Sequence, residues 1–320
     1  MAAGLIILPK GSVGSLTEMA FDSNTRLKSA DAYVASAIQN GMVVANTPGF
    51  TELWLERDGM CVQTISCIVV PGDRKLPLLL DRYNKVSRAA GPMVTLPPEI
   101  SAPQREIRVE KKTARDFQRM CEYAKKSGIW LYATQGHRTV RAQQALINYY
   151  TERDGAERAM RRCAPAGFSE HHSGLALDVN GGTWENNAGV LNGKLAWAWL
   201  AEHCFKFGFM IKNLKGKEHI TGTQYEPWHI RHLGDVELCR YLHDHNLTLN
   251  EYLVQRAADC ASVTGEKYVK AQHSTQMICW NGRQAELASY RIADDDFVSL
   301  KELNKLCESV GFQPPDAPDM

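Results

Sequence analysis

The chain has 320 residues, enough for two or three domains, and 44% of them are hydrophobic, so a sizeable core is available. Lys plus Arg number 37 against 36 Asp plus Glu, a formal net charge of +1. That balance excludes the basic excess of a nucleic-acid binder or a polybasic membrane contact. No apolar run approaches the roughly 20 residues of a membrane span. Leu5-Ile6-Ile7-Leu8 is shorter than the roughly 7–15 apolar residues of a signal-peptide core. The nine cysteines lack Cys-x-x-Cys spacing, so they do not read as a metal site, and buried free thiols are the default.

Residues 1–72 read as strands. Segments 34–38 and 42–45 flank Asn40-Gly41, a strong hairpin cue; residues 51–55 alternate, and 61–70 form the last strand. The pattern resembles bacterial group 2 Ig-like domains, and the resemblance implies a spacer or wall-adhesion unit. No histidine falls here, so a catalytic role is not expected. Residues 73–112 carry Pro77, Pro92, Pro97, Pro98 and Pro103, which predicts an extended lead-in wrapping onto the next domain.

A helix is predicted from Thr113, with Asp116 three positions on as in a capping box. Ala114, Phe117, Cys121 and Ala124 form its apolar stripe, and Gly128 ends it. A short strand at 129–133 leads to Arg138, followed by helices over about 139–152 and 194–206. With strands at 174–180 and 228–233, residues 73–254 read as an α+β domain. Its helices pack on one side of a mainly antiparallel sheet, whose other face carries the site. Residues 255–320 read as a charged connector and a small module, in which Asn281-Gly282 makes a hairpin before a Tyr290-x-Ile292 strand and a short Leu-rich helix. That module resembles a stalk-like unit at the ends of exported bacterial proteins.

The chemistry lies in two segments, Ser169-Glu170-His171-His172-Ser173-Gly174-Leu175-Ala176-Leu177-Asp178 and Glu226-Pro227-Trp228-His229. They supply two imidazoles, one carboxylate ligand and a spare carboxylate, the set that holds one zinc ion with an open position. Leu175, Leu177 and Val179 point to one face. Gly174, Ala176 and Asp178 point to the other, which is bare enough to admit an ion. An acid inside such a strand is costly unless paired or metal-bound. Pro227 argues against a helix, so the arrangement differs from a helical His-Glu-x-x-His pair. Trp228 and Ile230 would turn inward, with His229 and Arg231 opposite. Glu226 can then reach a water at the open position without being a ligand. His172 reads as a solvent or supporting residue, and His203, His219, His243, His245 and His273 as surface or structural ones.

Ser169-x-His171-x-x-Gly174-x-Ala176-x-Asp178 with Glu226-x-Trp228-His229 resembles the signature of the VanY-like zinc D-alanyl-D-alanine carboxypeptidases, which share a fold with the hedgehog signalling domain. The resemblance covers about half the chain, from near Lys75 to Leu253, and includes Gly136-His137-Arg138-Thr139 with Gln143. It implies that His171, Asp178 and His229 hold one Zn2+ and that Glu226 is the catalytic base. Arg138, Gln143 and Ser169 would be substrate contacts. His137, Thr139 and Lys212-Asn213-Leu214 depart from the usual Tyr, Ser and Arg-Tyr-Pro, where substrate preference could be set. Glu226 would take a proton from water and pass it to the leaving amine. Arg138 either clamps the terminal carboxylate bidentately or faces the reacting carbonyl.

The implied reaction is removal of the terminal D-Ala from peptidoglycan stem peptides. The alternatives are an L,D-carboxypeptidase, a wall endopeptidase, or a non-catalytic zinc module. The implied location is extracellular or at the cell surface, with the export signal outside this sequence and wall attachment through the flanking domains.

Overall fold

The computed structural model describes residues 4–16, 21, 24–38, 41–70, 75–183, 193–261, 272–280, 283–292 and 295–298. The early alternation is realised as β1 (Gly4–Pro9), β2 (Val13–Ser15), β3 (Thr25–Ser29), β4 (Ala35–Ile38), β5 (Met42–Ala45), β6 (Gly49–Arg57) and β7 (Met60–Val70). One sheet runs β1-β7-β6-β3 and a second β2-β5-β4, with Leu53, Ile65, Val69, Ala37 and Val43 in the core they share. Ile38 faces Met42 across the β4–β5 hairpin; Asn40 lies outside the described residues. Leu55 faces Gln63 but Glu56 faces Cys61, so β7 holds one extra residue near its turn. That bulge puts Cys61 at the surface while Cys67 stays buried, and the two thiols do not share a face.

The next part of the chain forms β8 (Met93–Thr95), β9 (Arg108–Glu110), α1 (Lys111–Lys126), β10 (Ile129–Gln135), α2 (Val140–Asp154), α3 (Ala156–Arg162), β11 (Ala176–Thr183), α4 (Lys194–His203), β12 (Phe209–Asn213), α5 (Glu218–Thr221), β13 (Glu226–His232), α6 (Val236–Asp244) and α7 (Leu249–Ala261). The sheet order is β10-β11-β13-β12, antiparallel throughout, and the domain is α+β. One face buries Leu131, Leu177 and Ile230 against Phe117 of α1 and Leu200 of α4. Register decides the other face: Asp178 stands opposite His229, and Asn213 opposite Glu226.

The start of α1 differs from the sequence expectation. Glu110 is the cap, its carboxylate accepting the Thr113 N–H at 2.9 Å, so Thr113 lies inside the first turn. Asp116 pairs instead with Arg115 and with His232 Nε2, 3.1 Å away, pinning α1 to β13. A tertiary partner outcompetes a local capping box here.

The N-terminal strands do not stand apart from this domain. Ile38 and Val44 share a buried cluster with Leu79, Met210, Leu242, Leu249 and Leu253. Asn84 exchanges side-chain hydrogen bonds with both backbone groups of Ala37, and its neighbour Asp81 accepts from Asn250 at 3.0 Å. Leu249→Ala is therefore expected to cost about 3 kcal/mol and to lower the urea midpoint of both regions together. Separate transitions, with the strands unaffected, would contradict the shared core.

Toward the C-terminus β14 (Gln272–Trp280), β15 (Arg283–Ile292) and β16 (Asp295–Val298) form an antiparallel meander with Trp280 opposite Arg283. The Leu-rich helix expected next lies outside the described residues. Among the described residues no helix is long and apolar enough to cross a membrane.

Candidate metal centre

His171 sits in a single 3-10 turn, Glu170–Ser173, whose start is capped by the Ser169 hydroxyl accepting from the His171 N–H and whose end is Gly174 at φ 76. A side chain at Gly174 would strike Met93 and the Glu110 amide, which donates to the Gly174 carbonyl at 3.0 Å. The Gly136 carbonyl lies 2.7 Å from His171 Nδ1. A carbonyl can only accept, so Nδ1 carries the proton and Nε2 presents its lone pair to the site. Gly136 has no room for a Cβ against the Arg108 carbonyl, which is why that stretch can pass so close.

His171, Asp178 and His229 each offer a ligand atom, and all of these lie within 4.8 Å of one another. His171 Nε2 is 3.5 Å from Asp178 Oδ2, and His229 Nδ1 is 3.0 Å from Asp178 Oδ1. Two imidazoles and a carboxylate so placed fit a divalent ion with a position left over. The two rings are nearly perpendicular, their centroids 5.0 Å apart.

The charges interlock. Burial is the largest influence on Asp178 and would raise it, but the imidazoles of His171 and His229 outweigh burial and hold the carboxyl well below the usual range. Burial lowers His171. Burial also works against the His229 imidazolium, yet hydrogen bonds to Asp178 and Glu170 win and hold that ring at about 10. The cluster's proton therefore resides on His229. Since 10 lies above the ordinary 6.5, this ring stabilises the metal-free fold fully below about pH 6.5. The contribution is lost as pH rises through about 10. An incoming ion must displace that proton. Between about pH 7 and 9, metal uptake should release close to one proton per ion, read by calorimetry in buffers of different protonation enthalpy. Heats that do not depend on the buffer would place the proton elsewhere.

Glu226 borders the same cleft but lies outside the trio. Burial pushes its carboxyl up to about 7, and Asn213 Nδ2 donates to Oε2 at 2.8 Å. Arg138 precedes α2, donates from Nη1 to Gln143 Oε1 at 2.7 Å, and sets Nη2 4.0 Å from Asp178 Oδ2. Gln143 is buried and spends its Nε2 on the Ala164 carbonyl. Ser169, Gln143 and Arg138 all line the cleft. His172 is buried rather than solvent-facing. Its Nδ1 donates to the Arg138 carbonyl at 2.6 Å and its Nε2 accepts from Gly167, so it ties the His171 turn to the Arg138 loop. Trp228 packs on Trp197 and also borders the cleft.

Residues 106–235 match the VanY family, described as D-alanyl-D-alanine carboxypeptidase. The matched stretch is less than half of the chain. A D-alanyl-D-alanine carboxypeptidase of Enterococcus faecium is 37% identical over 166 residues, 51% of this chain and 50% of that protein. One from Enterococcus faecalis is 29% identical over 155 residues, 46% of this chain and 56% of that protein. The chain thus spans about half the length of the curated relatives it matches. The solved structure of VanYB in complex with D-Alanine-D-Alanine is 25% identical, covering 55% of this chain and 96% of that one, at a TM-score of 0.48.

Three residues around the trio and Glu226 are not among the catalytic, binding or metal residues that the sequence indicates. Glu170 approaches His229 Nε2 at 3.0 Å, Arg231 approaches Glu170 at 2.6 Å, and Asn213 holds Glu226. Arg231 could have been suspected, because it shares its strand face with His229 and a buried guanidinium needs an acid. Asn213 belongs to the Lys212-Asn213-Leu214 departure, and only the β12–β13 register reveals its partner.

Proposed function

We propose that the chain is a zinc-dependent peptidoglycan carboxypeptidase that hydrolyses the terminal D-Ala from D-Ala-D-Ala stem peptides at the cell surface. The observation carrying this reading is the convergence of His171, Asp178 and His229, with Glu226 outside the trio yet bordering the same cleft. The relatives' carboxypeptidase names supply the reaction class. Two imidazoles and one carboxylate suit zinc, which when bound supplies a Lewis acid beside the scissile carbonyl.

The chain's own groups do the rest. Glu226 accepts a proton from the attacking water on the oxygen that Asn213 leaves free, then delivers it to the departing amine nitrogen. His171 and His229 remain neutral ligands during turnover. Arg138, held by Gln143, either binds the free terminal carboxylate or faces the oxygen on which charge develops. Its 4.0 Å approach to Asp178 supports the second role. The flanking domains would attach the enzyme to the envelope.

A second reading, endopeptidase action, draws on a groove lined by Arg105, Gln135 and His137. It meets the metal-bearing cleft at Arg138 and Asp178, so a longer chain could continue past the site.

The test incubates zinc-loaded protein with defined penta-, tetra- and crosslinked muropeptides and weighs the products. Loss of one D-Ala from the pentapeptide is expected. Cleavage of tetrapeptide or crosslink alone would transfer the assignment, and no cleavage at all would leave a non-catalytic module. Arg138→Ala should lose about 10²-fold in kcat/KM. A loss confined to free-carboxylate substrates marks a clamp, whereas an equal loss on amidated peptides marks the oxyanion role.

A further inference from the structure

His229 has two ring nitrogens in two different settings. Nδ1 lies 3.0 Å from Asp178 Oδ1, within the trio, whereas Nε2 lies 3.0 Å from Glu170 Oε2. A neutral imidazole carries one proton, and a metal needs the other nitrogen bare. With the proton on Nδ1 the N–H would point into the trio and exclude an ion. With it on Nε2 the lone pair of Nδ1 is available. We infer that Glu170 is the positioning residue that fixes the second arrangement, and that Arg231 holds Glu170 in place to do so.

The geometry carries this in three steps. Glu170 is buried, and an ionised carboxylate can only accept, so it demands an N–H from Nε2. Its other oxygen is taken by Arg231 Nη1 at 2.6 Å, which compensates the buried charge and leaves Oε2 aimed at one target. Arg231 is itself 1% exposed and immobilised, donating from Nε to the His232 carbonyl at 3.2 Å and from Nη2 to the Leu78 carbonyl at 3.1 Å. The relay therefore starts in the proline-rich lead-in and ends on a metal-facing ring. Neither Glu170 nor Arg231 belongs to the group of three that could hold the ion. Their effect is on which nitrogen does.

The inference rests on the trio being a metal site, so the test separates the two. Zinc affinity is measured by chelator competition, and the His229 ring nitrogens are read by 15N NMR in the zinc-loaded full chain. Glu170→Gln keeps an acceptor oxygen without the charge and should weaken zinc binding about tenfold. Glu170→Met should weaken it about 100-fold. Because Glu170→Met strands a buried guanidinium, the Glu170→Met/Arg231→Met pair, which removes both charges, is the cleaner variant. It is expected to show the same weakening, with His229 no longer confined to Nδ1 coordination. Zinc affinity within twofold of the unsubstituted protein and unchanged ring shifts would overturn the inference. If the pair does not fold, Glu170→Gln decides, and undiminished affinity there overturns it equally. His229→Ala is the control on the underlying reading. Should that variant bind zinc as tightly as the parent, the metal site itself fails, whatever Glu170 does.

Discussion

Glu226→Gln is expected to bind zinc as the unsubstituted protein does and to lose about 10³-fold in kcat. The amide has the same shape, and its oxygen can still accept from Asn213, so the β12–β13 pairing at this point is kept. What disappears is the basic oxygen. Since Glu226 lies outside the group of three side chains that could hold a metal ion, metal content should not change. The measurement is turnover of a D-Ala-terminated peptide beside zinc content by atomic absorption. Activity within tenfold of the parent would remove Glu226 as the base. As the proposed base, the same carboxyl should set the acid side of the pH profile. It must be ionised to act, and burial pushes it up to about 7, so kcat/KM should fall as pH drops. A bound dication beside it favours the carboxylate and moves that fall below about 7.

His171→Ala should lose both metal and activity. Residues that merely orient a ligand are worth roughly 10–100-fold in affinity, so removing a ligand outright should cost more than about 100-fold. The loss is local. His171 is one side chain on a 3-10 turn that Ser169, Gly174 and His172 continue to hold, and the sheet core lies on the other face. The metal-free variant is therefore expected to stay folded by circular dichroism. Unchanged zinc stoichiometry after dialysis would count against His171 as a ligand.

Much of the α+β region could be read from its residues. The alternation at 174–180 is strict, Pro227 forbids a helix before His229, and acids inside apolar strands stand out; each is local information. What stayed hidden depends on pairing between distant segments. No local pattern indicates that Glu110 rather than Thr113 caps the first helix, because Asp116 is claimed by His232, far along the chain. Asn213 meets Glu226 only through strand register, and Glu170 meets Arg231 only after the turn and β13 have packed. The bulge that turns Cys61 and Cys67 to different faces leaves no trace in alternation. The sharing of a core between the front strands and α7 is invisible for the same reason, since Ile38 and Leu249 each look like ordinary apolar residues.

Residues 78–84 are gripped from both flanks, by Ala37 on one side and by Arg231 on the other. Anyone recombining this protein should not treat the boundary near residue 72 as a seam. A graft or truncation there would carry away the strands that brace this clasp and leave the carbonyl of Leu78 poorly anchored. Mechanical load on the front strands would likewise be passed toward His229 through Asn84, Leu78, Arg231 and Glu170.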